Sequence, residues 1–313
     1  MERRAIKNIS VIGSGMMGHG IAQVFAGRNY NVTLLDVQEE LLSKAIENIR
    51  SNLTFLAQRG MGKSKDVEPT LRRINTTLDL NEALSQAQFV VEAASENLAL
   101  KQKIFQDLDS LSQPDTILAT NTSVISITEI ARNARLRERI VGTHFWFPPY
   151  LIPLVEVVKG KDTSDETMNR TYDLMKQAGK HPIKCMKDVP GFVANRLQHA
   201  LWREAISIVE KGIADAATVD EAIKNSIGIR LAVLGPIENA DMVGLDLTLA
   251  IHHTVLKDLE ASPDPSPLLK EKVKKGDLGF KSGRGFYDPW TPEGMKQVRE
   301  HLLNYLIDYS IKK

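Results

Sequence analysis

The sequence predicts an α/β fold in two parts: a doubly wound, largely parallel sheet, then an all-α C-terminal domain. Three observations predict it. Between Asn8 and Asp36 a strand, a glycine-rich turn, a helix and a second strand ending in an acid follow one another. Short runs of strand character then alternate with helical patterns as far as Cys185, and after Pro190 only long helical patterns remain. At 313 residues the chain exceeds the size that one core usually serves, so two domains are expected, divided near residue 187 as 1–187 and 188–313.

The first element is the apolar run Ile9-Ser10-Val11-Ile12, which enters Gly13-Ser14-Gly15-Met16-Met17-Gly18 directly; Ile21, Ala22, Val24 and Phe25 then fall at helical spacing. Gly13 permits the tight turn, Gly15 lets backbone approach a pyrophosphate, and Gly18 lets the helix pack close on the strand, its N-terminus facing negative charge. The next strand, Val32-Thr33-Leu34-Leu35, stops at Asp36, where a carboxylate can accept from both ribose hydroxyls and repel a 2′-phosphate. The expected ligand is NAD rather than NADP. A glycine triplet alone marks many ordinary turns, and the strand before it, the helix after it and the acid at the right distance give this one its meaning.

From Leu41 to Arg59 the pattern is helical, and Gly60-Met61-Gly62 ends it before a basic stretch with Lys63, Lys65, Arg72 and Arg73. Strand-like runs recur at Ile74 to Thr76, Phe89 to Glu92, Thr116 to Ala119, Ile140 to Thr143, Leu154 to Val158 and Pro182 to Cys185, with helical segments at Leu98 to Leu111, Ile127 to Ala134 and Asp165 to Ala178. This βα alternation makes the first part an N-terminal Rossmann-type doubly wound sheet. The second part carries helical patterns at Phe192 to Gly212, Ala217 to Gly228, Ile237 to Glu260 and Pro292 to Ile311, with Asp215 placed to cap one of them. Ser262-Pro263-Asp264-Pro265-Ser266-Pro267 reads as a proline-rich connector.

Composition narrows the partners. Forty basic and 39 acidic residues give a net charge of +1, so no global field would hold nucleic acid or an anionic membrane. A single cysteine, Cys185, excludes an intrachain disulfide and leaves too few thiolates for a zinc or iron–sulfur site, and a reducing, cytoplasmic location fits. Met1-Glu2-Arg3-Arg4-Ala5 leads into the first strand without the apolar core of a secretory signal, and no run approaches membrane-spanning length.

In open parallel sheets ligands bind beyond the carboxyl ends of the strands, which singles out Glu96, Asn121-Thr122-Ser123 and His144. Glu156 sits inside Leu154-Val155-Glu156-Val157-Val158, where an ionised group needs a partner. The loop Phe147-Pro148-Pro149-Tyr150-Leu151-Ile152-Pro153 could fold back and bring His144 against Glu156. The pair would then be a catalytic dyad, with the carboxylate fixing the tautomer of the imidazole. A satisfied strand-end histidine with a structural ion pair, and a helix-capping Ser123, are the plainer readings of the same residues.

Taken together, these blocks resemble an L-3-hydroxyacyl-CoA dehydrogenase over essentially the whole length. Carrying the resemblance are Gly13 to Gly18 with Gly20-Ile21-Ala22, Glu92-Ala93, Glu96-Asn97-Leu98, Asn121-Thr122-Ser123, His144-Phe145, Leu154-Val155-Glu156, Pro190-Gly191-Phe192-Val193-Ala194-Asn195-Arg196, and Gly283-Arg284-Gly285-Phe286-Tyr287. The resemblance implies oxidation of a 3-hydroxyacyl-CoA with NAD, a place in fatty acid metabolism, and a homodimer formed through the second domain. It implies His144 as general base, Glu156 as its orienting partner, Ser123 and Asn195 as holders of the substrate oxygen, and Glu96 as part of a network formed on domain closure. For the cofactor it implies Gly13, Gly15, Met16, Met17, Gly18, Asp36, Glu96 and Lys101, and no metal.

One position departs from the pattern. The asparagine usual after the histidine is replaced by Phe147 in His144-Phe145-Trp146-Phe147-Pro148-Pro149. The segment from Pro148 to Glu156, and Glu238-Asn239-Ala240-Asp241 with Gly244 to Thr248, are more similar to relatives acting on free hydroxy acids, L-gulonate 3-dehydrogenase and L-carnitine dehydrogenase. A CoA thioester would want the basic groups after Leu56, whereas a free carboxylate would want one cation such as Arg196, Arg230 or Lys281. A non-catalytic NAD-binding protein is the further alternative. The run Leu245, Leu247, Leu249, Ile251 and Leu256 is more apolar surface than a small lone bundle buries easily.

Overall fold

The computed structural model describes residues 5–312; Met1 to Arg4, where the sequence shows no apolar signal core, lie outside the described residues. Eight strands form one sheet: β1 (Asn8–Ile12), β2 (Asn31–Leu35), β3 (Ile74–Thr77), β4 (Phe89–Glu92), β5 (Ile117–Thr120), β6 (Ile140–Phe145), β7 (Leu154–Val158) and β8 (His181–Cys185). Their order is β3-β2-β1-β4-β5-β6-β7-β8, so the chain starts in the middle, winds outward to β3 and crosses back to β4. That reversal beside β1 is the switch point at which such sheets bind ligands. Every pairing is parallel except β6 with β7, which the short loop 146–153 allows because two antiparallel neighbours need no crossover helix.

In the first part the helices are α1 (Met16–Ala26), α2 (Glu39–Gln58), α3 (Val67–Leu71), α4 (Leu80–Leu84), α5 (Leu98–Leu111), α6 (Ile127–Ile130) and α7 (Asp165–Gln177). They cover both faces, and two apolar clusters result. One joins Val11, Phe25, Leu34, Phe89 and Phe145 with Met168 and Met175, and the other joins Leu118, Phe105, Leu108, Ile130 and Phe192. Strands covered on both sides read as continuous apolar runs, which is why β1, β4 and β5 are visible in the sequence. The two-turn-or-shorter α3 and α4 are not, being too short for a period to show.

In the second part α8 (Ala194–Glu210), α9 (Ala216–Lys224), α10 (Pro236–Val243), α11 (Leu245–Val255), α12 (Pro267–Lys275) and α13 (Pro292–Lys312) follow. Asp215 caps α9 as expected, accepting from the Thr218 amide at 2.7 Å. The helix expected over Ile237 to Glu260 is two helices, because Gly244 takes φ +104°, outside any helical region, and breaks it. Pro267 does not only interrupt: it opens α12, where its missing N–H is no loss and Ser266 accepts from Leu269.

Where the sequence suggests a division after residue 187, the compact units divide between Asn195 and Arg196, and residues from Leu302 on return to the first unit. The reasons are local. The Val193 and Ala194 amides are bonded to Glu156 on β7, and Leu303, Leu306 and Ile307 pack with Phe55, Leu56, Met61, Tyr150 and Leu151. Arg59 adds a hydrogen bond to Asn304 at 2.9 Å. The second unit by itself holds Tyr287 to Asp220 at 2.6 Å and Trp290 against Phe280, and among the described residues Val219 is its only buried apolar side chain.

Candidate active site

His144 and Glu156 are direct cross-strand partners in the antiparallel β6–β7 register, so both side chains leave the same face of the sheet. The ring Nδ1 lies 2.7 Å from Glu156 Oε2, and both groups are buried. The other carboxylate oxygen accepts from the Val193 amide at 2.9 Å and the Ala194 amide at 3.0 Å, and Trp146 Nε1 points at Oε2 from 3.4 Å. Burial pushes the Glu156 carboxyl up, but hydrogen bonds from His144, Ala194 and Val193 outweigh it and hold the group below its ordinary value. An ionised Glu156 accepts only, so Nδ1 carries a proton, and in the neutral ring the lone pair is then on Nε2. Trp146 and Phe192 wall the imidazole, with ring centroids 5.3 and 5.8 Å away.

Beyond β5 the chain turns through Asn121-Thr122-Ser123. Asn121 is structural: its Oδ1 accepts from the Phe145 amide at 2.9 Å and so ties this turn to the histidine strand. Ser123 is not a helix cap; Ser126 fills that position for α6, and Asp188 in turn accepts from Ser126 and Thr128. The Ser123 amide donates to Glu96 Oε1 at 3.0 Å, with Thr122 Oγ1 at 2.6 Å and the Val124 amide at 3.3 Å on the same oxygen. Asn195, in the first turn of α8, belongs to the unit that carries the sheet and directs Nδ2 at the Ser123 carbonyl from 3.4 Å. His144, Glu156, Ser123 and Asn195 thus form one connected neighbourhood.

At the switch point the glycine turn has the shape a dinucleotide needs. Gly13 takes φ +96° and lies so close to Ala93 that a Cβ would stand 2.9 Å from its carbonyl oxygen; at Gly18 a Cβ would stand 1.8 Å from the Gly13 oxygen. At Gly15 a Cβ would meet nothing within 4 Å, so the backbone borders open space at the N-terminus of α1. Met16 is exposed and Met17 half-buried beside it. Asp36 ends β2 half-buried; its Oδ2 accepts from the Ser14 amide at 2.7 Å and Ser14 Oγ at 2.6 Å, and Oδ1 from the Val37 amide. Three of the carboxylate's four lone-pair sites are taken, and the one left, on Oδ1, can accept from a ribose hydroxyl. An open cradle at a helix N-terminus with a carboxylate beyond it fits NAD.

Lys101 is buried on α5, 1% exposed, with its ammonium 2.7 Å from Glu92 Oε1, 3.3 Å from the Ala94 carbonyl and 3.4 Å from Glu96 Oε2. Burial pushes the Glu96 carboxyl up, but Thr122, Lys101 and the Ser123 and Val124 amides together hold it below its ordinary value. Glu92 enters the sequence reading only as part of a motif. Its isolation at the end of the apolar run Phe89-Val90-Val91 is the signal of a buried partner.

The loop between His144 and Glu156 is pinned at several points. Lys180 donates to the Pro149 and Ile152 carbonyls, Tyr150 donates to Asn52 at 3.2 Å, and Pro149 packs where a Gly20 side chain would stand. Burial, with Arg28 nearby, lowers the Lys180 ammonium to about 8. Phe147 projects from this fixed loop 58% exposed. Lys63, Lys65 and Arg72 are exposed, while Arg73 bonds to the Pro69 carbonyl. Arg230 and Lys281 are exposed within the second unit.

With this geometry in view, the comparisons with known proteins are specific. A family model described as 3-hydroxyacyl-CoA dehydrogenase, NAD binding domain, matches residues 8–189, and the C-terminal domain of the same family matches 191–289. A probable 3-hydroxybutyryl-CoA dehydrogenase of Bacillus subtilis is 39% identical over 284 residues, 90% of this chain and 97% of the relative. A 5-formyl-3-hydroxy-2-methylpyridine 4-carboxylate 5-dehydrogenase of Mesorhizobium japonicum is 35% identical over 96% of both chains. Among solved structures, a 5-dehydrogenase of that pyridine acid, described as an NAD+-dependent dismutase, superposes with TM-score 0.90 at 34% identity over 98% of both chains. A (S)-3-hydroxybutyryl-CoA dehydrogenase from Ralstonia eutropha superposes with TM-score 0.77 at 36% identity, over 92% of this chain and all of that one.

Proposed function

Because the chain belongs to the 3-hydroxyacyl-CoA dehydrogenase family and is an NAD-dependent oxidoreductase, we propose that it oxidises an L-3-hydroxyacyl-CoA, such as 3-hydroxybutyryl-CoA, to the 3-ketoacyl-CoA, with His144 as the base. The observation that carries the reading is the 2.7 Å bond from His144 Nδ1 to Glu156, whose second oxygen is held by two backbone amides. The carboxylate fixes the imidazole with its lone pair on Nε2, the atom that takes the 3-hydroxyl proton, and the resulting imidazolium is stabilised by the charge beside it. Bound NAD supplies the hydride acceptor. Ser123 and Asn195 orient the substrate oxygen, and Gly13, Gly15, Met16, Met17, Gly18 and Asp36 hold the dinucleotide. The Trp146 and Phe192 rings keep water from the imidazole, which favours the charge transfer.

A second reading has its own support. Phe147 stands where the family pattern has asparagine, and the pyridine carboxylate enzyme matches 96% of this chain where the Bacillus 3-hydroxybutyryl-CoA relative matches 90%. A compact free acid, of the pyridine carboxylate, L-gulonate or L-carnitine type, is then the substrate. NADH oxidation with acetoacetyl-CoA, run beside NAD reduction with 3-hydroxybutyrate, L-gulonate, L-carnitine and 5-formyl-3-hydroxy-2-methylpyridine 4-carboxylate, separates the two. Saturable turnover of the thioester alone is the expected result; turnover of a free acid alone overturns the thioester. Inactivity toward all of them, with tight NADH binding, would indicate a non-catalytic protein.

The proposal includes a homodimer and a reducing, cytoplasmic setting. In the isolated chain Leu245, Leu247, Leu249, Ile251 and Leu256 are all exposed, and the second unit buries almost no apolar side chain of its own, which supports a partner copy on α11. No helix among the described residues is long and apolar enough to cross a membrane. Sedimentation at micromolar concentration should give twice the chain mass.

A further inference from the structure

We propose that Leu303, Leu306 and Ile307, in the last turns of α13, are positioning residues: they seat the loop that carries Phe147 and so set where the substrate is held. The inference rests on the reading that Phe147 bears on substrate choice. It gives a role to a helix that begins at Pro292, beyond residue 289 where the match to the family ends.

The loop, residues 146–153, takes its polar support from groups inside the family match. The Leu151 and Ile152 amides both donate to the Pro148 carbonyl at 3.0 Å and close the loop into a turn. Lys180 donates to the Pro149 and Ile152 carbonyls. Pro149 lies against α1, where a Cβ on Gly20 would stand 3.0 Å from its ring. The Tyr150 hydroxyl donates to Asn52, and the Asn52 side-chain amide donates to Gln23 on α1, each over 3.2 Å. These bonds hold the backbone and the hydroxyl. They leave the Tyr150 ring and the Leu151 side chain in need of an apolar cover.

The end of α13 supplies that cover. Leu303, Leu306 and Ile307 fall at the spacing of one helix face. That face packs with Tyr150 and Leu151 of the loop, with Phe55 and Leu56 of α2, and with Met61 beyond it. Leu151 is left 5% exposed and Ile307 2%. Arg59 bonds to Asn304 at 2.9 Å, which adds a polar contact fixing this face on the end of α2. Without the three side chains Leu151 would meet water, and a loop with few buried apolar contacts opens at low cost. Phe147 lies outside the buried clusters and precedes Tyr150 by three residues, so it takes its place from the residues that follow it. His144 and Glu156 are held by cross-strand pairing and do not depend on the loop. The arrangement separates the seating of the substrate, which draws on α13, from proton transfer, which does not.

The test uses full-length variants: Leu303→Ala with Ile307→Ala, the single Ile307→Ala should the double variant fail to fold, and Ile307→Leu to restore the volume. In the double variant we expect KM for the preferred ketone substrate to rise about tenfold while kcat stays within about threefold, the pattern of lost uniform binding. NADH affinity should stay within about twofold, and Ile307→Leu should behave as the parent. Amide hydrogen exchange at Leu151 and Ile152 should quicken, with the amides of β6 and β7 unchanged. Phe147→Asn should change kcat/KM less in the double variant than in the parent, as for residues that act through one another. A helix that only stabilised the fold would lower the unfolding midpoint and leave KM and loop exchange as they were, and that result would overturn the proposal. Equal losses in kcat and NADH affinity would overturn it too, because the effect would then reach the whole unit. If Phe147→Asn in the parent leaves substrate preference unchanged, the reading of Phe147 falls, and KM with the exchange rates still decides whether α13 seats the loop.

Discussion

Replacing Glu156 by glutamine changes one atom of the carboxylate and keeps its volume, so the outcome can be worked from the hydrogen bonds. Oε1 accepts from the Val193 and Ala194 amides and Oε2 meets His144 Nδ1. In the variant the amide oxygen must remain with the two backbone donors, because an NH2 cannot face them. The NH2 then faces Nδ1 and forces the imidazole proton to Nε2, the atom that has to be free to take the substrate proton. Loss of one charge-assisted hydrogen bond costs ~1.5–3 kcal/mol, about 10- to 150-fold in rate at 1.36 kcal/mol per decade, and inversion of the tautomer adds to it. We expect kcat to fall by at least ~100-fold. NADH affinity, measured by fluorescence titration, should be unchanged, since no bond of Glu156 reaches the glycine turn. Steady-state NADH oxidation with the preferred ketone substrate is the assay. A kcat within about threefold of the parent would refute the assignment of tautomer, and with it His144 as base.

His144→Ala should lower turnover by a similar ~100-fold or more with NADH affinity unaltered, and retained activity would dismiss the dyad. Asp36→Ala should weaken NAD binding and relax the rejection of NADP; because Asp36 also holds both the amide and the hydroxyl of Ser14, unchanged coenzyme preference would show that it serves only the turn. Phe147→Asn should raise kcat/KM for acetoacetyl-CoA by about tenfold, the worth of one good hydrogen bond, and an unchanged value would free Phe147 of responsibility for substrate choice. Lys180 loses its proton near 8 in the folded protein and near 10.5 when unfolded. Between those values the unfolded chain binds more protons, so stability rises with pH by about 2–3 kcal/mol from pH 8 to 10. In Lys180→Met, denaturant unfolding should show that rise removed.

The parallel sheet was legible because strands buried on both faces carry uninterrupted apolar runs, and the glycine turn because its steric demands are written in residue types. His144 and Glu156 were legible as candidates, and the proline-rich loop suggested that they meet. Their register was not, since a single-residue slip in an antiparallel pairing would have sent one of them to the opposite face. Glu92 with Lys101 escaped because residues nine apart on a strand and a helix have no sequence period in common. Gly244 escaped as a break in α10–α11 because an isolated glycine within an apolar helical pattern is often tolerated. The return of Leu303, Leu306 and Ile307 to the first unit is a contact over some 150 residues with Leu151, and nothing local records it.

The proposed dyad is held by two strands, whereas Phe147, the residue proposed to bear on substrate choice, stands on the eight-residue loop that joins them. Cross-strand pairing holds His144 opposite Glu156, and the interior of the connecting loop is anchored at Pro149, Tyr150 and Ile152 by Lys180 and Asn52. Phe147, exposed and outside those anchors, can therefore be exchanged without moving His144 or Glu156. A laboratory seeking to redirect this enzyme has a short segment to vary, and a lineage seeking a new metabolite had the same freedom.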